Sequence, residues 1–492
     1  MFVKTNVQPG LSRRGTLYQT MGRWYDGAYV RWYEGSLFPI GAWAARTATP
    51  VTGKPRAIMT FRDDDGTRFV IVGTESKLYA LTPSLTALVD ITPVGFTAGH
   101  ADAAAGGGYG SSFYGTGAYG TPRIDSIGIA YEATMWQLDM FGATPVMLAA
   151  DDGVIYSWDK DIGTPHKAAA VSGAPTGNQG IVVTQEGFLV ALGSGGARRT
   201  VAWSDRGNHT TWTPSSTNQA GDYDIQSQGG LMCGAKTRTQ TLLFTELDIH
   251  LMSYVGLPNV YLIDRVGENC GAISRKPGAA VGSNYTWMSQ DNFWQWDGAS
   301  AQQLSCDVYD AVFSDMNKVQ RSKISCTLVS QFSEIWWFYP SAASNENDMA
   351  VVYNYKEQHW NLHPLSRLCG ADRGIYNYPI MCSSDGYLYD HENGISWDQT
   401  PFVESGPLES DNGDRIIKVR DVIMDERTAG DVELYVKARE WNNDSDTTFG
   451  PFVAPNPVDG HFAGRAMRMR VEFQGAGQWG APRFDVIPGG RR

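Results

Sequence analysis

Apolar residues along this chain fall in short runs broken by polar turns, and the same run–turn–run unit is written repeatedly. Ile380-Met381-Cys382 leads into Ser384-Asp385-Gly386, and Tyr387-Leu388-Tyr389 leads out. Asp-Gly between two β-rich runs predicts a hairpin, because a tight turn needs a positive φ that Gly adopts without strain. The unit recurs from Met147, with Asp152-Gly153 at the turn, and from Thr286, with Asp291-Asn292. A looser copy starts at Val70, and less regular ones start at Phe188, Thr241 and Glu334. From Met147 onward the copies begin roughly 40–55 residues apart, the period of a β-propeller in which each unit is one four-stranded blade. Amphipathic helix patterns are scarce.

Several of these runs are apolar on both faces. Ile335, Trp337 and Tyr339 point one way as a strand, and Trp336 and Phe338 point the other. A sheet with one wet face alternates apolar and polar residues, whereas a blade has a neighbour on each side. Spacing and two-sided burial together predict an all-β fold, a β-propeller of six to seven blades over residues 1–400. A sandwich with aromatic strands is the plainer alternative. From about residue 401 the texture changes. Residues 418–440 alternate at strand period around a polar turn. In 465–473, Met467, Met469 and Val471 point inward and Arg468 and Arg470 outward, the pattern of a half-buried antiparallel strand. Residues 401–492 are therefore expected to form a separate, small C-terminal β-sandwich.

Two stretches stand apart. Residues 1–46 form an arm dense in aromatics. Trp24, Tyr25, Trp32, Tyr33 and Trp43 cannot all sit in water, so they pack on the propeller or form an interface with another chain. Arg13, Arg14, Arg23 and Arg31 lie among them. Arg beside aromatics suits nucleic-acid stacking, an interface anchor, or plain packing of the Arg stems. Residues 99–122 are a Gly/Tyr/Ala-rich insertion. Gly at that density is costly to order, so a long loop or arm is expected, with Tyr109, Tyr114 and Tyr119 placed to anchor it to a surface.

The net charge of −12 argues against a sequence-reading nucleic-acid binder with a general basic surface. It leaves room for a protein that handles DNA without gripping it. The paired cations Arg13/Arg14, Arg198/Arg199 and Arg491/Arg492 are the candidates for contact with DNA or a partner. The six Cys are far apart with no C-x-x-C pair, which reads as buried free thiols. No apolar run is long enough for a membrane span or placed as a signal peptide, so assembly in a cytoplasm is expected.

Candidate chemistry is thin. The stretch from Trp203 to Trp212 resembles the Asp-box of sialidase-like propellers, a turn that stabilises the fold. Ser204 and Asp205 are adjacent, however, and the spacing from Gly207 to Thr211 is too long. Arg62-Asp63-Asp64-Asp65-Gly66 and Asn442-Asn443-Asp444-Ser445-Asp446 look like calcium-loop fragments but lack the ligand spacing and the closing Glu, so both read as polar turns. His359 and His363 lie in strand-like sequence and share no helical face. No phosphate-cradling loop, nucleophile elbow or zinc motif is present. No catalytic, cofactor-binding or metal-binding residue is expected, and no cofactor.

Taken together, the order of these segments resembles the propeller nozzle, or packaged-DNA stabilisation, proteins of short-tailed bacteriophages. The segments are the N-terminal aromatic stretch, the Gly/Tyr insertion, the run from Met135 through Asp159, the Trp203 turn, the strands from Leu242, Glu334 and Ala350, the Arg/Met strand and the terminal Gly-Gly-Arg-Arg. The resemblance implies a virion protein, a hexameric ring at the distal end of the head-to-tail channel that retains packaged double-stranded DNA and conducts it at ejection. It implies as neighbours the head-to-tail adaptor or portal proteins and the tail fibres or spikes. A receptor-binding or baseplate component is the alternative, and a glycan-acting propeller enzyme comes after it.

Overall fold

The computed structural model describes residues 2–5, 7–82, 87–104, 130–162, 167–409, 415–441, 444–453 and 458–490. It is an all-β, propeller-like protein built from many small sheets. Seven four-stranded antiparallel sheets follow one another, here numbered I to VII. They span residues 55–90, 136–170, 180–224, 231–267, 278–304, 325–363 and 369–391. Sheet VII takes its fourth strand, Trp43–Ala45, from the start of the chain.

The repeated hairpin is the second and third strand of each sheet. Arg68–Thr74 pairs with Leu78–Leu81 in sheet I, and Ile380–Cys382 pairs with Leu388–His391 in sheet VII. Gly386 turns the latter at φ +87. Each second strand serves two interfaces, because successive side chains point to opposite faces. Ile71 packs toward Trp136 and Met147 of sheet II, while Val70 and Val72 pack toward Ile380 and Cys382 of sheet VII. Val146 and Leu148 meet Leu189 and Ala191 of sheet III, and Val190 and Leu192 meet Leu243 of sheet IV. Phe244 then meets Trp287 of sheet V, Phe293 meets Trp337 of sheet VI, and Trp336 meets Met381 of sheet VII. The two-sided apolar runs are thus divided between seven successive interfaces, the last of which returns to sheet I. All six residues of Glu334–Tyr339 are buried, as the pattern of the strand anticipates.

Beyond the ring lie two larger sheets, and within the arm Val30–Tyr33 pairs with Ser36–Pro39 as a two-stranded one. One of the larger sheets has the order Phe2–Lys4, Arg483–Pro488, Ile417–Ile423, Val458–Gly464. The other runs Gln8–Leu11, Arg23–Ala28, Phe402–Ser405, Ala466–Gln478, Ala429–Arg439, Thr447–Phe452. Val419, Phe462 and Phe484 of the first share a core with Leu434, Met469 and Val471 of the second. The expected division at residue 400 assigned the whole N-terminal arm to the ring. Strand pairing divides the arm differently: residues 2–28 supply strands to these C-terminal sheets, and Trp43–Ala45 alone pairs into the ring. Arg468 and Arg470 do face away from Met467 and Met469, but they are not left to water. Both pair with the buried carboxylate of Glu404, which Lys437 also reaches.

The two parts meet where Gln8–Leu11 crosses the outer strand of sheet VI, His359–His363. That strand is buried throughout although it is the edge of its sheet. Gly10 makes the close crossing. Its φ is +86, and a Cβ there would sit 2.6 Å from His359 Cβ. Gly10→Val should therefore cost about 2–4 kcal/mol through strain and overpacking together. Chemical denaturation of the full chain measures this, and wild-type stability would mean that the crossing is loose.

Candidate functional site: the channel of the ring and its clasps

The first strands of the seven sheets lie around one cavity of about 400 Å³. Its wall is largely backbone and small or apolar side chains, since an innermost strand turns one face to its neighbours and leaves only the other for the lumen. The charged side chains on the wall are Arg56, Asp139, Lys236, Arg275, Lys276 and Asp372. Most are committed to the protein. Asp139 accepts the Val183 N–H at 2.8 Å and the Met140 N–H at 2.8 Å, and stands 3.7 Å from Lys236 Nζ. Asp372 accepts the N–H groups of Ser330 and Arg373. Arg275 donates to the carbonyls of Gln179 and Met232, joining sheets III and IV. No carboxylate pair or nucleophile–base pair faces the lumen among these residues.

At the end where the inner strands begin, a buried ionic clasp holds the described base of the Gly/Tyr insertion. Arg56 donates two parallel bonds to Glu346, at 2.7 and 2.8 Å, and a third at 2.7 Å to the Ala101 carbonyl. Lys323, with no exposed side-chain surface, donates to Glu346, to the Asn345 carbonyl and to Asp102. Burial pushes the Glu346 carboxyl up, but Arg56 and Lys323 outweigh it and hold it below the usual carboxylate range. Gln320 exchanges two hydrogen bonds with the Ala103 backbone, and Ala104 pairs with Tyr131 as the insertion leaves and returns.

A second clasp holds the N-terminal arm. Arg31 is buried and donates to both oxygens of Glu334, at 3.1 and 2.9 Å, and to both of Glu392, at 2.8 and 2.6 Å. Its guanidinium lies 3.6 Å over the Phe332 ring. Burial pulls the Arg31 pKa down, yet the two carboxylates hold it above its ordinary value. Beside it, Tyr29 N donates to His363 Nδ1 at 3.2 Å. Arg367, stacked between Trp43 and Tyr389, donates to His391 Nε2 at 2.7 Å. Both imidazoles are acceptors and therefore neutral.

The residues singled out in the sequence scatter. Trp24 and Trp32 are buried in the chain's own core, because the strands that carry them are inserted between the ring and the C-terminal sheets. Trp43 stacks on His391 in the closing strand, and Tyr33 packs edge-on against Phe332. Tyr25 is half-buried and carries Arg13 over its ring. Arg13 is tied to Asp26 and to the Tyr25 carbonyl, so it offers little free charge. Arg14, Arg198 and Arg199 are exposed, with Arg198 3.7 Å from Glu246. Tyr109, Tyr114, Tyr119, Arg491 and Arg492 lie outside the described residues. Asp205 caps a turn by accepting the N–H groups of Arg206 and Gln219, the structural part an Asp-box plays. The six thiols are all buried and unpaired, as their spacing suggests.

Sequence reasoning missed Arg56, Lys323, Glu346, Glu334 and Glu392. Their partners lie far apart along the chain, Arg56 and Glu346 by 290 residues, so no local pattern marks them. No helix among the described residues is long and apolar enough to cross a membrane. No protein family and no curated protein matches this chain. Among solved structures it is similar to PorZ, an essential bacterial surface component of the type-IX secretion system of Porphyromonas gingivalis, with 8% sequence identity and a TM-score of 0.38. The likeness covers 83% of this chain and 46% of PorZ, so the chain spans under half the length of that structure. A likeness at this level carries no argument about function.

Two outcomes are expected from the second clasp. Arg31→Met strands two carboxylates in the interior and should cost about 3–5 kcal/mol, read from denaturant midpoints. The neighbouring histidines make stability depend on pH. Burial, with Arg31 adding to it, drives His363 down to about 3, and His391 lies well below its ordinary value for like reasons. A folded pKa below the unfolded value gives stability that is complete above about pH 6.5 and lost as pH falls. His363 then removes about 1.4 kcal/mol per pH unit, or about 2 kcal/mol at pH 5, and His391 adds a loss of the same sign. His363→Asn keeps an acceptor for Tyr29 N and removes the titration. It should remove the His363 contribution from the slope between pH 7 and 5, and an unchanged slope would acquit His363.

Proposed function

We propose that this chain is a structural subunit of a bacteriophage tail, a nozzle ring of six copies that closes the head-to-tail channel. It retains packaged double-stranded DNA and conducts it at ejection. In this reading sheets I to VII are the seven blades of a β-propeller and the two outer sheets are a β-sandwich. The neighbours are head-to-tail adaptor or portal proteins and tail fibres or spikes, and the ring is assembled in the host bacterial cytoplasm. The chain is not an enzyme and takes no cofactor.

The observation that carries the reading, beside the order of segments along the chain, is how the polar groups of the channel are used. Arg56, Arg275, Asp139 and Asp372 bind the protein itself, as in a wall. A cavity of about 400 Å³ is also far too small for a duplex, whose major groove alone is about 12 Å wide. The genome path therefore belongs on an axis between copies. A net charge of −12 per chain, repeated around that axis, favours a conduit that repels the DNA backbone.

Negative-stain imaging with native mass spectrometry tests this directly. The expected particle is a six-fold ring with an axial hole. A trimer would favour the receptor-binding or baseplate alternative, and a monomer at all concentrations would sink the ring. The assembled ring should bind free duplex weakly or not at all in a fluorescence-anisotropy salt titration. Tight binding with a steep salt slope would replace the repelling conduit with a basic clamp.

A further inference from the structure

The two outer sheets do not close on each other everywhere. Between them lies a cavity of about 330 Å³ whose floor is Val419, Val436, Met467, Met469 and Phe484, all buried. Water has no place on such a floor, because a buried water needs two to four polar partners. An apolar cavity of about 150 Å³ takes up benzene, so one about twice that size suits roughly ten to fourteen non-hydrogen atoms. The slot between two facing sheets favours a chain over a ring system. Met467 and Met469, unbranched and flexible, can follow such a chain.

The mouth adds two observations. Val3 and Met21, both on the cavity wall, are each 40% exposed, so the apolar lining continues to the surface. Lys4 is also on the wall; among the described residues its ammonium donates no hydrogen bond and makes no ion pair. The carboxylate that feels it is Asp425, which receives the Ala481 N–H. Glu409, elsewhere on the wall, receives the Tyr18 hydroxyl at 3.5 Å and would repel an anion from its side. Charge thus directs an anionic head toward Lys4. We propose that the cavity is a binding site for one medium-length acyl chain with a carboxylate head, buried tail-first between the sheets with the carboxylate on Lys4. The site does not depend on the nozzle reading, and either can fail alone.

The test titrates sodium decanoate, kept below its micelle threshold, into the full chain by calorimetry and thermal melting. One saturable site per chain is expected, with a melting temperature that rises with ligand concentration. Leu408→Trp, which fills the cavity from its half-exposed wall, should weaken decanoate at least tenfold. Lys4→Glu changes an exposed side chain and should leave the fold intact, which circular dichroism checks for both variants. It should weaken decanoate about fivefold, the scale of an exposed ion pair, while binding of neutral decanol is unchanged. Heat without saturation, or no response at all, overturns the site. Equal loss of decanoate and decanol in Lys4→Glu overturns the assignment of the head group. Should Leu408→Trp fail to fold, the decanoate–decanol comparison decides alone.

Discussion

A sheet that is apolar on both faces cannot end in water, and this constraint organises the molecule. Each of the seven sheets hides one face behind the sheet before it and the other behind the sheet after it. The series is therefore satisfied only when the last sheet reaches the first. Val70 and Val72 of sheet I and Ile380 and Cys382 of sheet VII bury each other, and either pair would lie bare in an open ring. The chain makes the closure structural by lending Trp43–Ala45 to sheet VII, so that the beginning and the end of the ring become one set of hydrogen bonds. Stability should accordingly be cooperative around the ring, because no partial arc hides its terminal faces.

Apolar faces of this kind are interchangeable in energy, and they do not by themselves say which segment packs where. The buried ions supply that choice. Arg31 ties the arm to sheet VI and to the segment after sheet VII, and Arg56 with Lys323 ties sheet I, the approach to sheet VI and the insertion. A buried ion pair adds little net stability over a well-packed apolar substitute, whereas a wrongly docked segment would leave a charge stranded at a cost of several kcal/mol. We take the clasps as devices of docking specificity, which fits their positions at the junctions between segments distant in sequence.

The same division explains what was legible in the sequence. The hairpins from Val70, Met147, Phe188, Thr241, Thr286, Glu334 and Ile380 all fall on the second and third strands of a sheet, because those strands carry the local signals: a turn residue and apolar runs on either side. Outer strands were mostly silent, His359–His363 apart. Gly221–Asp224 is polar and mostly exposed, and Ala169–Ala170 is two residues long, as suits edges that must not pair with other chains. The alternation of Ala429–Arg439 announced a half-buried strand, and the structure keeps it. The partners of residues 2–28 were invisible, since Phe2 pairs with Asp485 and Trp24 with Ser405, and no local period reports so distant a match. For the candidate site the failure has the same source. A guanidinium that meets its carboxylate three hundred residues later looks, in sequence, like any surface Arg.

Because the ends of the chain are folded into the outer sheets, ring and outer sheets are not separable bodies. Leu11, Trp24 and Trp32 belong to one continuous apolar core with Phe293, Trp337 and Trp360 of the ring and with Val436, Met469 and Phe484 of the outer sheets. Loss of packing at one end of such a core is felt at the other, since Trp24 and Trp32 have neighbours on both sides. Whatever fills the space between the outer sheets must therefore stabilise the ring as well, by linkage through the shared core. The closing strand Trp43–Ala45 follows directly from that core along the chain, so the order of the outer sheets bears on whether the ring stays shut. The inner channel, most of whose charged groups are bound to its own wall, has no comparable link to the outer sheets.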